Sequence, residues 1–233
     1  MRQQRKASRG LTMALAMGIG IFGFAGTAAA DVIIAPVSAV CNVSCPGFGS
    51  LTNTIDQSGL SIGYTSGVTD FDAYLALNPT HTNIFPGFEW FSSSGSTTAT
   101  VTYNLGAVTN INRLALFNEE VSGIGLLNLF YSTDNILFLP LALGLLPTDN
   151  PANQFYRADV FSFAATNAQY VRFEMSRCPQ PNPGSFPACA IGEVAFASGE
   201  GTTVAPEPGT MLLLGSGLAG LAARRRRQAK LAS

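Results

Sequence analysis

Residues 98–105 read TATVTYNL, and their alternation decides the fold class. Ala99, Val101, Tyr103 and Leu105 fall on one face of an extended chain, with Thr98, Thr100, Thr102 and Asn104 on the other. That period of two is the mark of a half-buried strand, and the β-branched and aromatic residues in it suit a pleated surface. Working outward, further apolar runs occur at residues 111–118, 126–132, 136–141, 156–163, 170–175 and 191–197, each bounded by Gly, Pro, Asn or Asp. Asp134-Asn135 between two of these runs tolerates left-handed backbone and marks a hairpin turn. Short strands at such spacing predict an all-β sandwich or jelly roll.

Composition agrees. The chain has 233 residues, 47% hydrophobic and 12% charged, enough for a buried core and too little charge for a disordered segment. Its 24 Gly and 13 Pro disfavour long helices, while 16 Phe, 6 Tyr and 1 Trp favour sheet. The net charge of −1 conceals a segregation. Nine of the 13 basic residues lie in the first ten positions or after residue 223, and all 14 carboxylates lie in residues 31–208. The middle of the chain therefore carries roughly −10, which repels a phosphate backbone and excludes nucleic acid as a partner.

The two ends read as addresses. Arg2, Arg5, Lys6 and Arg9, then an apolar run over 11–26, then Thr27, Ala28, Ala29 and Ala30 have the order of a secretory signal peptide over residues 1–30. Cleavage after Ala30 would free Asp31. As a helix the apolar run reaches only ~24 Å against a hydrocarbon core of ~30 Å. At the other end, Pro206, Glu207 and Pro208 precede an apolar run at 211–223 (MLLLGSGLAGLAA) and Arg224, Arg225, Arg226 and Arg227. Thirteen helical residues give ~20 Å, a short membrane helix. Its arginines would stay in the cytoplasm and leave everything before the run outside. The two prolines keep the stretch before it extended and open to a processing enzyme. This order resembles the PEP-CTERM sorting signal of Gram-negative bacteria. The resemblance implies an exosortase-type processing enzyme as partner and transient anchoring in the inner membrane. The destination it implies is the periplasm, cell surface or extracellular matrix of a species that makes extracellular polysaccharide.

Residues 31–203 are then one domain, followed by the sorting signal at 204–228. Four stretches in it, TVTYNLGAVTNINRLALFNEE (100–120), LNLFYSTDNILFLPL (127–141), AQYVRFEM (168–175) and AIGEVAF (190–196), resemble the discoidin-like, coagulation-factor type C superfamily in order and spacing. The resemblance implies an eight-stranded jelly-roll β-sandwich whose loops at one end bind glycans, lipid headgroups or other surface ligands. It further implies one structural calcium between an early loop and the closing strand, for which Asp70, Asp72 and Glu193 are the carboxylates at hand, although the usual Asp-Gly pair of the early loop is missing.

Cys41, Cys45, Cys178 and Cys189 all lie in the exported part, where thiols pair. Three connectivities are open. Closure of the Pro-rich loop CPQPNPGSFPAC favours Cys178–Cys189, from which Cys41–Cys45 follows, with a bend demanded by its tight spacing. A zinc site is the alternative for Cys-x3-Cys, with a poor second pair and His81 remote from both.

Catalytic chemistry has few residues to use. His81 is the only histidine, no Gly-x-Ser-x-Gly elbow is present, and Lys6 and Lys230 are the only lysines, so triad, Schiff-base and P-loop mechanisms lack their parts. Glu119 and Glu120 are the one candidate acid–base pair for a glycoside hydrolase, but neighbours on a strand point to opposite faces unless the strand has already ended. Phe88, Trp90 and Phe91 crowd into NIFPGFEWFSSSG, where exposed rings would stack on sugar faces. The sequence thus predicts a noncatalytic surface protein that binds glycan or exopolysaccharide. A structural matrix protein with no small-molecule site is the alternative, and a carboxylate-dependent glycoside hydrolase a weaker one.

Overall fold

The alternating stretch does not end at Leu105. It continues as one strand, Thr98–Asn118, in which Ala99, Val101, Tyr103 and Leu105 are buried as the pattern requires. In this computed structural model residues 31–84, 87–181 and 186–199 are described. The leader 1–30 with Ala30 lies outside them, as do Pro206, Glu207, Pro208, the apolar run 211–223 and Arg224 to Arg227.

The elements are β1 (Ile33–Ile34), β2 (Ser38–Val43), β3 (Phe48–Gly49), a 3-10 turn (Leu51–Thr54), α1 (Phe71–Ala76), β4 (Thr80–His81) and β5 (Trp90–Phe91). They continue with β6 (Thr98–Asn118), β7 (Leu126–Ser132), β8 (Leu139–Leu145), β9 (Tyr156–Ser176) and β10 (Ala190–Ser198). Every pairing between them is antiparallel.

Two runs expected as separate strands fuse into β6, and two more fuse into β9. Each has 21 residues, ~70 Å if it lay flat. They do not lie flat. Their ladder jumps from Asn104↔Tyr170 to Thr109↔Ala168, beside Gly106 at a φ of 85° that only glycine adopts without strain. Cys178 N then donates to Thr97 O at 3.3 Å, and Asn118 Nδ2 donates to Gln180 Oε1 at 2.8 Å. Both ends of β6 therefore meet the same short segment, so the ribbon is folded back on itself. One layer holds β2, β6 residues 98–104, β9 residues 170–176, β7 and β8. The other holds β1 and β5 on β10, then β6 residues 111–118, β9 residues 156–162 and β4.

The layers close on an apolar core. Phe173 of the first layer meets Phe196 of the second edge to face at 6.4 Å, and Tyr103 stacks edge-on against Phe173 at 4.9 Å. Each such ring contributes about 1.5–3 kcal/mol by leaving water. β10 is buried along its whole length because both its faces are covered. Ile191, Val194 and Phe196 enter the main core, while Ala195 and Ala197, with Ala115, floor a second cluster of Ile33, Tyr64, Phe71 and Tyr74. The short alanine side chains leave room for α1 to lie close. Asp70 caps that helix by accepting from Ala73 N at 2.6 Å. Six residues carry too little periodicity for a helix to be read from the sequence.

One strand is displaced from its expected place. β8 begins at Leu139 rather than at residue 136, because Asp134 Oδ1 accepts from Ile136 N and Leu137 N, and Asn135 sits at a φ of 62°. The turn consumes the first three residues of the apolar run.

Candidate functional site

Of the three rings expected to stack on sugar, two do not face solvent. Trp90 is 0% exposed, paired through β5 with Ile191 on one side and Gly49 on the other, and belongs to the main core. Phe91 is 3% exposed and meets Phe186 edge to face at 5.8 Å beside Ala188 and Ala190. Phe88 is half-buried. The sugar-stacking role expected of Trp90 and Phe91 is corrected accordingly: β5 is covered on one face by the core and on the other by the loop before β10, and of the three rings it is Phe88 that keeps part of its surface in solvent.

That loop is held by a disulfide. Cys178–Cys189 and Cys41–Cys45 are both formed, with Cα–Cα distances of 4.9 and 5.9 Å, so no thiol remains for zinc. The bend demanded at the second pair occurs at Ser44, with a φ of 63°. Around Cys178–Cys189, Cys189 N donates to Ser92 Oγ, Ala190 N to Ser122 O, Gly95 N to Pro187 O and Ser122 Oγ to Phe186 O. Three loops at one end of the sandwich are thereby joined.

Beneath them lies a closed polar cluster. His81 Nε2 is 3.1 Å from Ser58 O and Nδ1 is 2.9 Å from Thr82 O, and burial pushes the imidazole below its ordinary pKa against both bonds. Nδ1 also shares a hydrogen bond with Tyr156 OH, 2.9 Å away. Glu89 Oε1 lies 3.5 Å from the same phenol. Burial, with the charge of Glu120, raises the Glu89 carboxyl to about 8. Glu119 is raised to about 8 by burial and Glu120, against the pull of backbone N–H bonds from Val121 and Ser122. Glu120 is raised by burial too and shares a side-chain hydrogen bond with Glu119. β6 ends at Asn118, so the two glutamates escape the strand alternation and turn into one cluster. They are enclosed at 3% and 4% exposure, which leaves no cleft in which they could flank a glycosidic bond.

The proposed calcium ligands are not brought together. Asp70 is used as a helix cap, and Asp72 is held by Arg113 at 2.5 Å, which keeps its carboxyl below the ordinary range. Glu193 is buried, accepts from Gln57 N and Tyr64 OH, and is raised to about 9 by desolvation. Carboxylates already engaged by a helix cap, by Arg113 and by Gln57 and Tyr64 do not converge on one point, and no metal-binding group of His, Cys, Asp or Glu occurs among the described residues. The expectation of a calcium on Asp70, Asp72 and Glu193 is corrected on this ground.

Open concavities lie elsewhere. In the β4–β9 ladder, His81 faces Tyr156 and Thr80 faces Arg157. Facing residues share a side of the sheet, so the buried pair serves the acid cluster while Thr80 and Arg157 lie on the outer side. Phe155, 65% exposed, lines a hollow of about 160 Å³ there with Gly59, Ser61, Thr80 and Thr82. Ser61 Oγ accepts from Thr80 N at 2.9 Å and Thr82 Oγ1 from Ile84 N at 3.3 Å, which fixes both hydroxyls. A broader hollow of about 250 Å³ on the outer face of β6, β7 and β9 is lined by Thr98, Thr100, Asn128, Glu174 and Ser176, without an aromatic ring. Phe155 was not singled out in the sequence, where its neighbourhood ANQFYRAD carries no motif.

Residues 204–227 match the PEP-CTERM protein-sorting motif. The motif implies exosortase processing and an exported, surface-directed protein. No curated protein matches the chain. Among solved structures it is similar to chitosan-binding module 1 of a chitosanase/glucanase from Paenibacillus sp. IK-5, at 17% identity and a TM-score of 0.45, over 70% of this chain and 96% of that one. It is also similar to the family 32 carbohydrate-binding module of C. perfringens NanJ in complex with galactose, at 14% identity and a TM-score of 0.47, over 72% and 99%. A third is a pectin-binding carbohydrate-binding module, at 16% identity and a TM-score of 0.40, over 74% and 94%.

Proposed function

We propose that this chain is a noncatalytic, surface-associated binding protein for glycan or exopolysaccharide of the extracellular matrix, delivered by its leader and sorted through residues 204–227. The observation that carries the reading is the sorting motif placed after a β-sandwich whose cluster of Glu89, Glu119 and Glu120 is closed to substrate. Such a body, held outside the cell, acts through its surface. The hollow beside Phe155 supplies an aromatic ring and fixed hydroxyls, the two kinds of group that a sugar's apolar and polar faces require. A glycan array probed with the full-length chain in detergent micelles tests the reading: selective retention on a few glycans is expected, and uniform silence overturns it.

One observation favours the alternative of a structural matrix protein. β8 lies at the edge of the sheet with Leu139 and Leu143 exposed and no charged side chain in it, the kind of edge that pairs with another strand. A concentration-dependent oligomer in sedimentation, together with a silent array, would establish that role.

A further inference from the structure

Within the glycan-binding reading above, on which this inference rests, we infer that the hollow of Phe155, Ser61, Thr80 and Thr82 takes an acidic sugar residue, with Arg157 as the cation that selects its carboxylate. Phe155 presents most of its ring to solvent at the rim of the hollow, where burying it in the protein would have been the cheaper arrangement for an apolar side chain. The apolar C–H face of a pyranose covers such a ring and removes it from water. Thr80 and Thr82 stand two residues apart on one side of the chain, and Ser61 is tied to Thr80 through the Thr80 N–H, so three hydroxyls line the hollow, those of Ser61 and Thr82 in fixed positions.

Charge decides the class of sugar. Four arginines fall among the described residues. Arg113 is paired with Asp31 and Asp72, and Arg172 lies over the Phe138 ring at 3.6 Å. Arg157 and the exposed Arg177 form no ion pair among the described residues, and of these two it is Arg157 that stands directly across the ladder from Thr80 and two residues from Phe155. An arginine without an ion pair, on the strand position facing Thr80, matches a carboxylate on a sugar seated in the hollow, since Arg presents a planar fork to it. The acid nearest along the strand, Asp159, is already engaged by Thr148, whose N and Oγ1 both donate to it.

The test measures binding of a galacturonate tetrasaccharide and of the matching neutral galactose tetrasaccharide to the full-length chain in micelles, at low and high salt. The galacturonate probe is expected to bind more tightly and to weaken with salt. Phe155→Ala should weaken it roughly tenfold or more, and Arg157→Gln should weaken it by a similar factor while abolishing the salt dependence. Glu174→Ala, in the other hollow, should change nothing. All three positions are accessible, and melting curves of each variant verify that it is folded. Binding that survives Phe155→Ala, or preference for the neutral probe, overturns the pocket and leaves the glycan-binding function standing. Silence toward both probes overturns the pocket, and the broad array then decides whether the function falls with it.

Discussion

Trp90 donates its indole Nε1–H to the carbonyl oxygen of Pro46 at 3.2 Å, while the rest of the ring lies in the main core. The chain's one tryptophan is therefore a structural residue. Trp90→Ala should cost about 3–5 kcal/mol by cavity formation and lower the urea midpoint accordingly. Native emission should resist acrylamide quenching and shift to the red on unfolding. An exposed, quenchable tryptophan in the folded chain would contradict this placement.

Stability should fall as the solution becomes alkaline. Glu89 and Glu119 titrate near 8 and Glu193 near 9 in the fold, all above the ordinary 4.5. A carboxyl raised in this way gives stability that is whole below about 4.5 and is lost as pH climbs through its folded value. His81, shifted down by burial, works the other way and withdraws stability below its ordinary 6.5. Urea midpoints are expected to be lower at pH 9 than at pH 6. Glu193→Gln, which keeps the shape and cannot ionise, should flatten that decline, and a midpoint that rises toward pH 9 would refute the placement of these acids.

The two disulfides should differ in worth. Cys178–Cys189 spans 11 residues and Cys41–Cys45 spans 4. Loop-closure entropy assigns about 3 kcal/mol to the longer and about 2 kcal/mol to the shorter. Paired Cys→Ser replacement, read by thermal melting, should show the larger drop for Cys178 and Cys189, whose loop also covers Phe91.

Arg113 joins the start of the domain to α1. It reaches Asp31 at 2.7 Å and Asp72 at 2.5 Å and lies 4.5 Å above the Phe71 ring. These are partly exposed contacts, so Arg113→Ala should cost about 1–2 kcal/mol. Hydrogen exchange would show the loss as faster opening of residues 31–34 and 70–76, and an unchanged profile would deny the link.

Much of the fold was legible because it depends on local alternation. The inward face at Ala99, Val101, Tyr103 and Leu105 was read correctly, as were β7, the Asp134-Asn135 turn and both cysteine pairs. The fusion of four runs into β6 and β9 was not, since a bend at Gly106 and a turn between strands leave the same trace in one dimension. The site was less legible. A cluster of rings at Phe88, Trp90 and Phe91 looks alike whether it faces sugar or core, and what decides is the cover supplied by residues 186–190, distant in sequence. Phe155 gave no signal because its hollow is made with residues 59–61 and 80–82, which only tertiary structure brings near. Glu193 sits in a run whose apolar neighbours disclosed its strand but not that Tyr64 would meet it.

The pairing of Ile33 with Ala197 places entry and exit of the domain side by side. Gly199 N bonds Asn110 O, and Asn110 faces Asn167 in β9, eleven residues along from Tyr156. Gly192, seven residues before Gly199, lies against Tyr156, so at strand rise Phe155 stands roughly 20–30 Å from Gly199. Whatever is joined to the sandwich before residue 31 or after residue 199 therefore leaves from one side of it, and the remaining faces are open to the surroundings.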